Sequence, residues 1–376
     1  MGFISVSTYN FRNLENCTVN TDSRNIFLTG SNGQGKTNFI EAVYNLCFGN
    51  SFRTKYDALL VKEDEKEMSI KGIYTAGSGE KGERGDRNTP DINTSDINTV
   101  FLTITDGKKN IQLNGKKIKD RKEIIHNIPC IVFSHDDISY VSGSPDKRRQ
   151  FFNQTISLFD CSFLENLRRY ERILKSRNSV LKDGDQGGIL DILDRQLAEE
   201  GLEITVIRKK IIEEFNSTFS SVFSKVSGLD AAIRIIYRPS WNCESDADEI
   251  VDKLSGKRYA ETAAGTTLFG PHRDRFYFYM NRKDFTKIAS TGQTRLVSLS
   301  LKTAQAEFYR QMTGKKPLVL LDDVLLELDK TRKIRFIDAF PEYEQAFFTF
   351  LPGEDEIISG KTGLYYNVKN GVIRET

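Results

Sequence analysis

Three short stretches carry residue types that handle phosphate. The first is Gly30-Ser31-Asn32-Gly33-Gln34-Gly35-Lys36-Thr37, which fits the pattern G-x-x-x-x-G-K-[ST]. Gly33 and Gly35 let backbone N–H groups point inward around phosphate oxygens, where side chains would crowd. Lys36 would reach the β- and γ-phosphates, and Thr37 would place its hydroxyl on Mg²⁺. Asn32, Gln34 and Asn38 complete the loop and the start of the next helix, whose N-terminus adds partial positive charge. The second stretch is "LVLLDDVLLELD", beginning at Leu318. Four apolar residues carry a strand through a core, and Asp322 emerges at its end, where it could hold Mg²⁺ through water. Asp323 follows and could orient or activate an attacking water. The competing reading is a surface pair of aspartates capping a strand. The third stretch is "ASTGQTR", Ala289 to Arg295. Ser290, Gly292 and Gln293 open a helical pattern and offer a second phosphate receptor. Without context they read equally as an ordinary N-cap.

The surrounding elements place these residues. "NIFLTG" is a strand that runs into the glycine loop. "KTNFIEAVYNLCF" spaces Phe39, Ile40, Val43, Leu46 and Cys47 on one helical face, so the loop sits between strand and helix as phosphate binding requires. "GFISVSTYNF" is a first strand, and residues 68–75 and 99–105 are two more. Between those two lies a Gly/Asp/Asn/Thr-rich insertion, about Ala76 to Thr99, with a short tandem of Asp-Ile-Asn-Thr at Asp91 and Asp96. Asn114-Gly115 marks a hairpin turn. From about Pro145 to Ser227 the pattern is helical, broken at Lys182–Gly188. Strands return at "AAIRIIYRPS" and "RFYFYMN". A helix follows from Thr291, with Leu296, Leu299, Ala304, Phe308 and Met312 on its buried side. "QAFFTF" is a further strand, and "LYYNVKNGVIRE" closes the chain as a hairpin. The class is α/β. The expected division is a head made of residues 1–140 and 260–376, with a mainly helical lobe from 141 to 259 inserted into it.

Totals exclude some classes. Of the 376 residues, 38% are hydrophobic and 28% charged, which suits a globular core. No apolar run approaches the roughly 20 residues that span a bilayer, so no membrane role is expected. Residues 1–13 lack the shape of a signal peptide. Gly2 would suit myristoylation, but a buried first strand is the preferred use of that segment. Cys17, Cys47, Cys130, Cys161 and Cys243 are scattered singly, and His126, His135 and His272 are dispersed. This reads as reduced cytosolic thiols without a metal cluster. The net charge of +2 decides nothing, so a nucleic-acid partner needs a local basic face. From Pro145 to Lys182, nine basic residues face four acidic ones, a local balance of +5. Arg168, Arg172 and Lys175 share one helical face that could neutralise phosphates without reading bases; a merely solvated face is the alternative. Arg148 and Arg149 are read either as DNA contacts or as serving the nucleotide site or the lobe junction. "GPHRD", from Gly270, is read as a structural corner with an Arg–Asp pair in preference to a DNA contact.

The order of glycine loop, Ser-x-Gly-Gln helix start and apolar strand with paired acids resembles the ATP-binding-cassette ATPases. The details resemble the RecF family of bacterial DNA replication and repair proteins, which are related to SMC-type ATPases. The matching stretches are "FRNL" at Phe11, "GSNGQGKTNFIEAVY" at Gly30, "SFR" at Ser51, "GSPDKRRQFFN" at Gly143, "GPHRD" at Gly270, "STGQTR" at Ser290 and "LLDDVLLELD" at Leu320. The resemblance implies ATP and Mg²⁺ as cofactors and head-to-head dimerisation driven by ATP, with Ser290 completing in trans the site of Lys36. It implies DNA binding to single strands, duplex or gap junctions. Slow, DNA-stimulated hydrolysis would serve as a switch, with no chemistry on DNA itself. It further implies recombination mediators such as RecR-like proteins as partners, roles in gap repair, recombinase loading and the SOS response, and a cytoplasmic, nucleoid-associated location. The departures are Ala289-Ser290-Thr291-Gly292-Gln293 where Leu-Ser-Gly-Gly-Gln is usual, Asp323 where transporters have Glu, and Leu326 where the D-loop has Ser. Rival readings are a transporter ATPase subunit, in which loop and signature lie much closer in sequence, an SMC-like protein that bridges DNA, and a non-hydrolysing scaffold gated by ATP.

Overall fold

The computed structural model describes residues 2–75, 97–184, 187–229, 232–325, 328–354 and 361–376. The Asp91 and Asp96 tandem, most of the 76–99 insertion, and Leu326 with Glu327 of the D-loop lie outside them. The chain packs into two units, Met1–His135 with Gly314–Thr376, and Asp136–Thr313.

In chain order the first unit begins with β1 (Phe3–Tyr9), β2 (Cys17–Asn20), β3 (Asn25–Thr29) and α1 (Lys36–Phe48). It continues through β4 (Glu67–Thr75), β5 (Ile97–Thr105), β6 (Lys108–Leu113), β7 (Lys116–Lys117), α2 (Lys122–Asn127) and β8 (Cys130–Phe133). The second unit holds α3 (Ser139–Ser142), α4 (Pro145–Ser157), α5 (Cys161–Asp183), α6 (Ile189–Ser227), β9 (Ile233–Arg238), α7 (Ala247–Ala264), β10 (Arg275–Met280), β11 (Lys283–Asp284) and α8 (Thr291–Thr313). The first unit then resumes with β12 (Leu318–Leu321), α9 (Lys330–Asp338), β13 (Gln345–Phe350), β14 (Leu364–Lys369) and β15 (Val372–Glu375).

The first unit has two sheets with α1 between them. One is antiparallel along its described length, in the order β2-β1-β4-β5-β6-β7; the other, β15-β14-β3-β13-β12-β8, is parallel except for the β14–β15 hairpin. The α1 residues expected to be buried, Phe39, Ile40, Val43, Leu46 and Cys47, all are. They join Val6, Ile70 and Leu102 of one sheet and Ile26, Leu320 and Phe347 of the other in one core. Burial on both faces explains why β3, β12 and β13 are continuous apolar runs rather than alternating ones. Gln345 ties the sheets together: its amide donates to the carbonyls of Phe3, Thr21 and Ser23 and accepts from Phe3 N.

The second unit is built around α6, a helix of 39 residues. α5, α7, α8 and β9 pack against it. Phe215 of α6 meets Phe152 of α4 and Phe308 of α8 edge-on, and Phe152 stacks on Phe276 of β10. The second unit therefore extends past residue 259 and includes 260–313, which the sequence had suggested for the head. The reason is the apolar side of α8, with Phe308 on α6 and Gln311 bonded to Thr218 at 2.8 Å. Met312, expected on that buried side, is 42% exposed in the last turn of α8, which ends at Thr313.

The "GPHRD" segment is a structural corner. Asp274 is fully buried and accepts from Arg208 Nη1 at 2.7 Å, Tyr237 Oη at 2.5 Å and Ser240 N at 2.7 Å. Its ion-pair partner is thus Arg208 of α6, not the neighbouring Arg273, which reaches the Thr267 carbonyl. His272 is wedged between Tyr170 Oη (2.6 Å to Nδ1) and the Thr267 carbonyl (3.0 Å to Nε2). Burial pushes its pKa down to about 4, so the ring is neutral, donating from Nε2 and accepting at Nδ1. Gly270 has φ of 144°, and a Cβ there would lie 2.5 Å from Tyr170 Oη. Removing one member of a buried pair strands the other charge. Arg208→Met is expected to cost about 3–5 kcal/mol, read as a lower urea midpoint, and adding Asp274→Asn recovers part of it.

Candidate functional site: a glycine loop joined to an acidic strand end

The parallel sheet brings the two phosphate-type motifs together. β13 lies between β3 and β12, with Phe350 opposite Thr29 and Phe348 opposite Leu321. The C-terminal ends of these strands open on one side, where α/β sheets place ligands. Within the loop, Gly33 (φ 76°) and Gly35 (φ 116°) are left-handed, and a Cβ on Gly33 would meet nothing within 4 Å. Gly30 has a different duty: a Cβ there would lie 2.3 Å from the Val368 carbonyl of β14. Gln34 is bonded through its carbonyl and its side-chain oxygen to Gly371 N and Asn370 N in the β14–β15 turn. Asn32 is exposed at the loop's tip.

Lys36 is 3% exposed and donates to the carbonyls of Gly30 (2.6 Å) and Ser31 (3.2 Å). Its ammonium lies 4.0 Å from Asp323 Oδ2. Thr37 donates to Asp322 Oδ1 at 2.8 Å, which couples the first turn of α1 directly to the end of β12. Asp322 is 9% exposed, and its N–H bonds the Phe133 carbonyl of β8. Burial pushes its pKa up to about 6, and Asp323 adds to the rise. The Thr37 hydroxyl, Arg53 and Lys36 pull the other way without cancelling it. Two oxygen donors, a hydroxyl and a carboxylate short of positive charge, converge at one point. That is the donor chemistry Mg²⁺ takes beside a phosphate, so Thr37 and Asp322 fit the ion.

Asp323 turns away from the strand with φ of 52°. Thr349 holds it there. Asp323 N donates to Thr349 Oγ1 at 2.7 Å, and that hydroxyl lies 2.8 Å from Asp323 Oδ1. Thr349 was not among the residues expected from sequence. The available signal was a hydroxyl in the otherwise apolar part of "QAFFTF", on the strand between the two motifs.

A second set missed from sequence centres on Glu41, a fully buried carboxylate on α1. Arg12 of "FRNL" binds it bidentately at 2.9 and 2.8 Å. Ser51 and Arg53 of "SFR" also donate to it. Arg53 reaches on to Asn38 Oδ1 (2.7 Å), Asn38 to Asn13 Oδ1 (2.6 Å), and Asn13 to the Gly33 carbonyl (3.3 Å). Two stretches recognised only by resemblance thus brace the glycine loop from its flank.

Ser290, Gly292 and Gln293 belong to the other unit, at the exposed start of α8. They form a capping box: Ser290 N donates to Gln293 Oε1 at 2.9 Å and Gln293 N to Ser290 Oγ at 3.3 Å. The serine oxygen accepts in that arrangement, which leaves its proton to donate.

The basic segment is less free than its charge count suggests. Arg148 binds the Phe276 carbonyl, and Arg149 binds the Asp274 carbonyl and Asp146. Arg169 pairs with Glu200, and Arg177 is fully buried against Asp194 and Glu261. Arg172 and Lys175 are exposed on α5, and Arg168 is half-buried.

A family model described as the RecF/RecN/SMC N terminal domain matches residues 4–352. The chain is 39% identical over 374 residues to the DNA replication and repair protein RecF of Treponema pallidum (strain Nichols), covering 98% of this chain and 100% of that one. It is 32% identical over 341 residues to the RecF of Leptospira interrogans serogroup Icterohaemorrhagiae serovar Lai (strain 56601), covering 90% and 89%. Among solved structures it is similar to the recombination mediator protein RecF-ATP in the RecFOR pathway, with a TM-score of 0.86 at 27% identity, covering 100% of this chain and 97% of that one. An SmcHead bound to the C-winged helix domain of ScpA shares the fold at a TM-score of 0.56 and 15% identity, covering 100% and 96%. With the glycine loop and the acidic strand end joined as they are, and with identity running through nearly its whole length, the chain belongs to the RecF family of DNA replication and repair proteins.

Proposed function

We propose that the chain is an ATP-gated DNA clamp of recombinational repair. The observation that carries the reading is the Thr37–Asp322 contact beside the buried Lys36: a phosphate loop and a metal-type carboxylate share one site. The similar structure described as RecF-ATP supports ATP as the nucleotide. Backbone N–H groups around Gly33 and Gly35, the Lys36 ammonium and the α1 N-terminus bind the triphosphate. Thr37 and Asp322 hold Mg²⁺, which neutralises the phosphates when bound. Asp323, fixed by Thr349, orients the attacking water.

Ser290 acts in trans. Its free proton and the exposed α8 N-terminus cap the γ-phosphate held by a second copy, so ATP bridges two heads and ADP does not. Binding energy is thereby converted into dimer population, and slow hydrolysis ends it. The dimer holds DNA, supports recombinase loading with RecR-like mediators, and contributes to gap repair and the SOS response. The setting is the bacterial cytoplasm, at the nucleoid.

Light scattering tests the bridge. Molar mass is expected to double in ATP with Mg²⁺ and not in ADP, and Ser290→Arg abolishes the doubling; a variant that still doubles removes Ser290 from the bridge. Asp323→Asn should bind ATP and remain dimeric while phosphate release falls at least tenfold. Wild-type release by that variant would take Asp323 out of the chemistry.

Asp322 also makes a pH-dependent prediction. Its folded pKa lies near 6, above the ordinary value of 3.8, so stability from the protonated form is fully present below 3.8 and lost as pH rises through 6. Asp322→Asn should stabilise the free chain at pH 7.5 by at most about 3 kcal/mol. That gain should shrink as pH falls toward 4, and the variant loses Mg²⁺-dependent ATP binding. Thermal unfolding and nucleotide titrations at several pH values separate the two effects.

A further inference from the structure

A group of unit 2 cations lies on a surface that the α4–α5 charge count does not include. β9, β10 and β11 form a three-stranded sheet in the order β11-β10-β9. Its inward side carries Ile235, Phe276 and Phe278, all buried. Its outward side follows from the register. Arg275 lies opposite Arg238, Tyr277 opposite Ile236, and Tyr279 opposite both Arg234 and Asp284. Arg282 sits in the β10–β11 turn at the end of this face, whereas Lys283 lies opposite Met280 and so belongs to the other side. Arg234, Arg238, Arg275 and Arg282 are exposed, and among the described residues none of the four has a salt bridge. Asp284 is the acid on this face, and its Oδ1 accepts from the Thr286 N–H and hydroxyl.

Two local rules are broken to keep the charge there. Like charges directly opposite in an antiparallel ladder destabilise it, yet Arg238 faces Arg275. Both central residues of the β10–β11 turn, Asn281 (φ 48°) and Arg282 (φ 65°), are left-handed. The second would be Gly in an unconstrained hairpin, and an arginine there costs about 1 kcal/mol or more. Such violations cluster where a surface has a task. Tyr277 holds the Arg238 guanidinium, 5.2 Å from its ring centre. Tyr279 is half-buried beside Arg234.

We propose that this face binds single-stranded DNA, with Arg234, Arg238, Arg275 and Arg282 on the phosphates and a base stacked on Tyr279. Sheets with exposed aromatic rings and flanking cations are a recurring platform for unpaired strands, because every base offers a π-face. The assignment rests on the DNA-binding reading above and gives that reading a location.

The test is fluorescence anisotropy of the full chain with ATP and Mg²⁺, using oligothymidine and a duplex of equal length over a range of salt. Combining Arg238→Ala with Arg275→Ala should leave thermal stability unchanged or raised, because a repulsion is removed. Single-strand binding should nevertheless weaken, and the log–log salt slope should flatten by about 1.4, two contacts at 0.7 each. Tyr279→Ala should lower oligothymidine affinity about tenfold and duplex affinity much less. If the wild-type chain binds oligothymidine and the double-arginine variant binds it equally well with the same slope, the site is wrong and the DNA-binding reading stands. If only duplex binding falls, the single-strand assignment is overturned. If the wild-type chain binds neither DNA, both the reading and the site fall together.

Discussion

The nucleotide site depends on one hydrogen bond, from the Thr37 hydroxyl to the Asp322 carboxylate. It spans a sequence separation of 285 residues, and it can form only if β13 is inserted between β3 and β12 with all three strands parallel. A carboxylate buried that deeply tends to protonate. The Thr37 donor, Lys36 and Arg53 offset part of the burial cost and leave the rest. A site that remains electrostatically unsatisfied favours a divalent cation over a permanent internal ion pair. Lys36 illustrates the same economy: it bonds loop carbonyls and stands 4.0 Å from Asp323, too far for a tight pair.

Unit 2 treats charge in the opposite way. Arg177, Arg208 and Asp274 are buried and fixed. Such pairs do little for net stability compared with apolar packing, but removing one partner is expensive. Their value is in fixing which loops meet: Arg208 alone joins α6 to Asn153 of α4, to the Pro271 carbonyl and to Asp274. Arg148 and Arg149 do the same for α4 and β10. A local charge balance read from sequence therefore overstates what is available to a polyanion. Arg238 and Arg275, which face each other in the β9–β10 ladder, lie outside that count.

Much of the fold was legible because its elements are driven by apolar periodicity. The α1 face, the β4 and β5 strands, the α5–α6 helical pair and the C-terminal hairpin all follow from it. α7 was not read: Ile250, Leu254 and Glu261 are its buried positions, too sparse a set to leave a stripe. β2 is four residues long and half exposed. The glycine loop and the acid pair were legible because phosphate and metal chemistry restrict residue types at fixed spacing. Thr349 and Glu41 were not, because their roles arise from contacts between segments far apart in sequence. Arg12 meets Glu41 across 29 residues, and Thr349 meets Asp323 across 26. Residue type alone could not separate Arg149, tied to the distant Asp274 carbonyl, from Arg172, exposed on α5.

At the signature serine, the capping role and the proposed phosphate-binding role do not compete. Ser290 and Gln293 form a complete capping box, which by itself explains a serine before a helix. Capping uses the serine oxygen as acceptor, while receiving a phosphate uses its proton as donor, so neither role displaces the other. The cap even serves the second role, because it fixes the serine rotamer before any ligand arrives and lowers the ordering cost of binding. Gly292 adds no side chain over the helix end, where a Cβ would meet nothing within 4 Å. A helix start that is both capped and open on its outer side is what the proposed bridge between two copies would require. The capping box gives the geometry, and a triphosphate would give the reason to close.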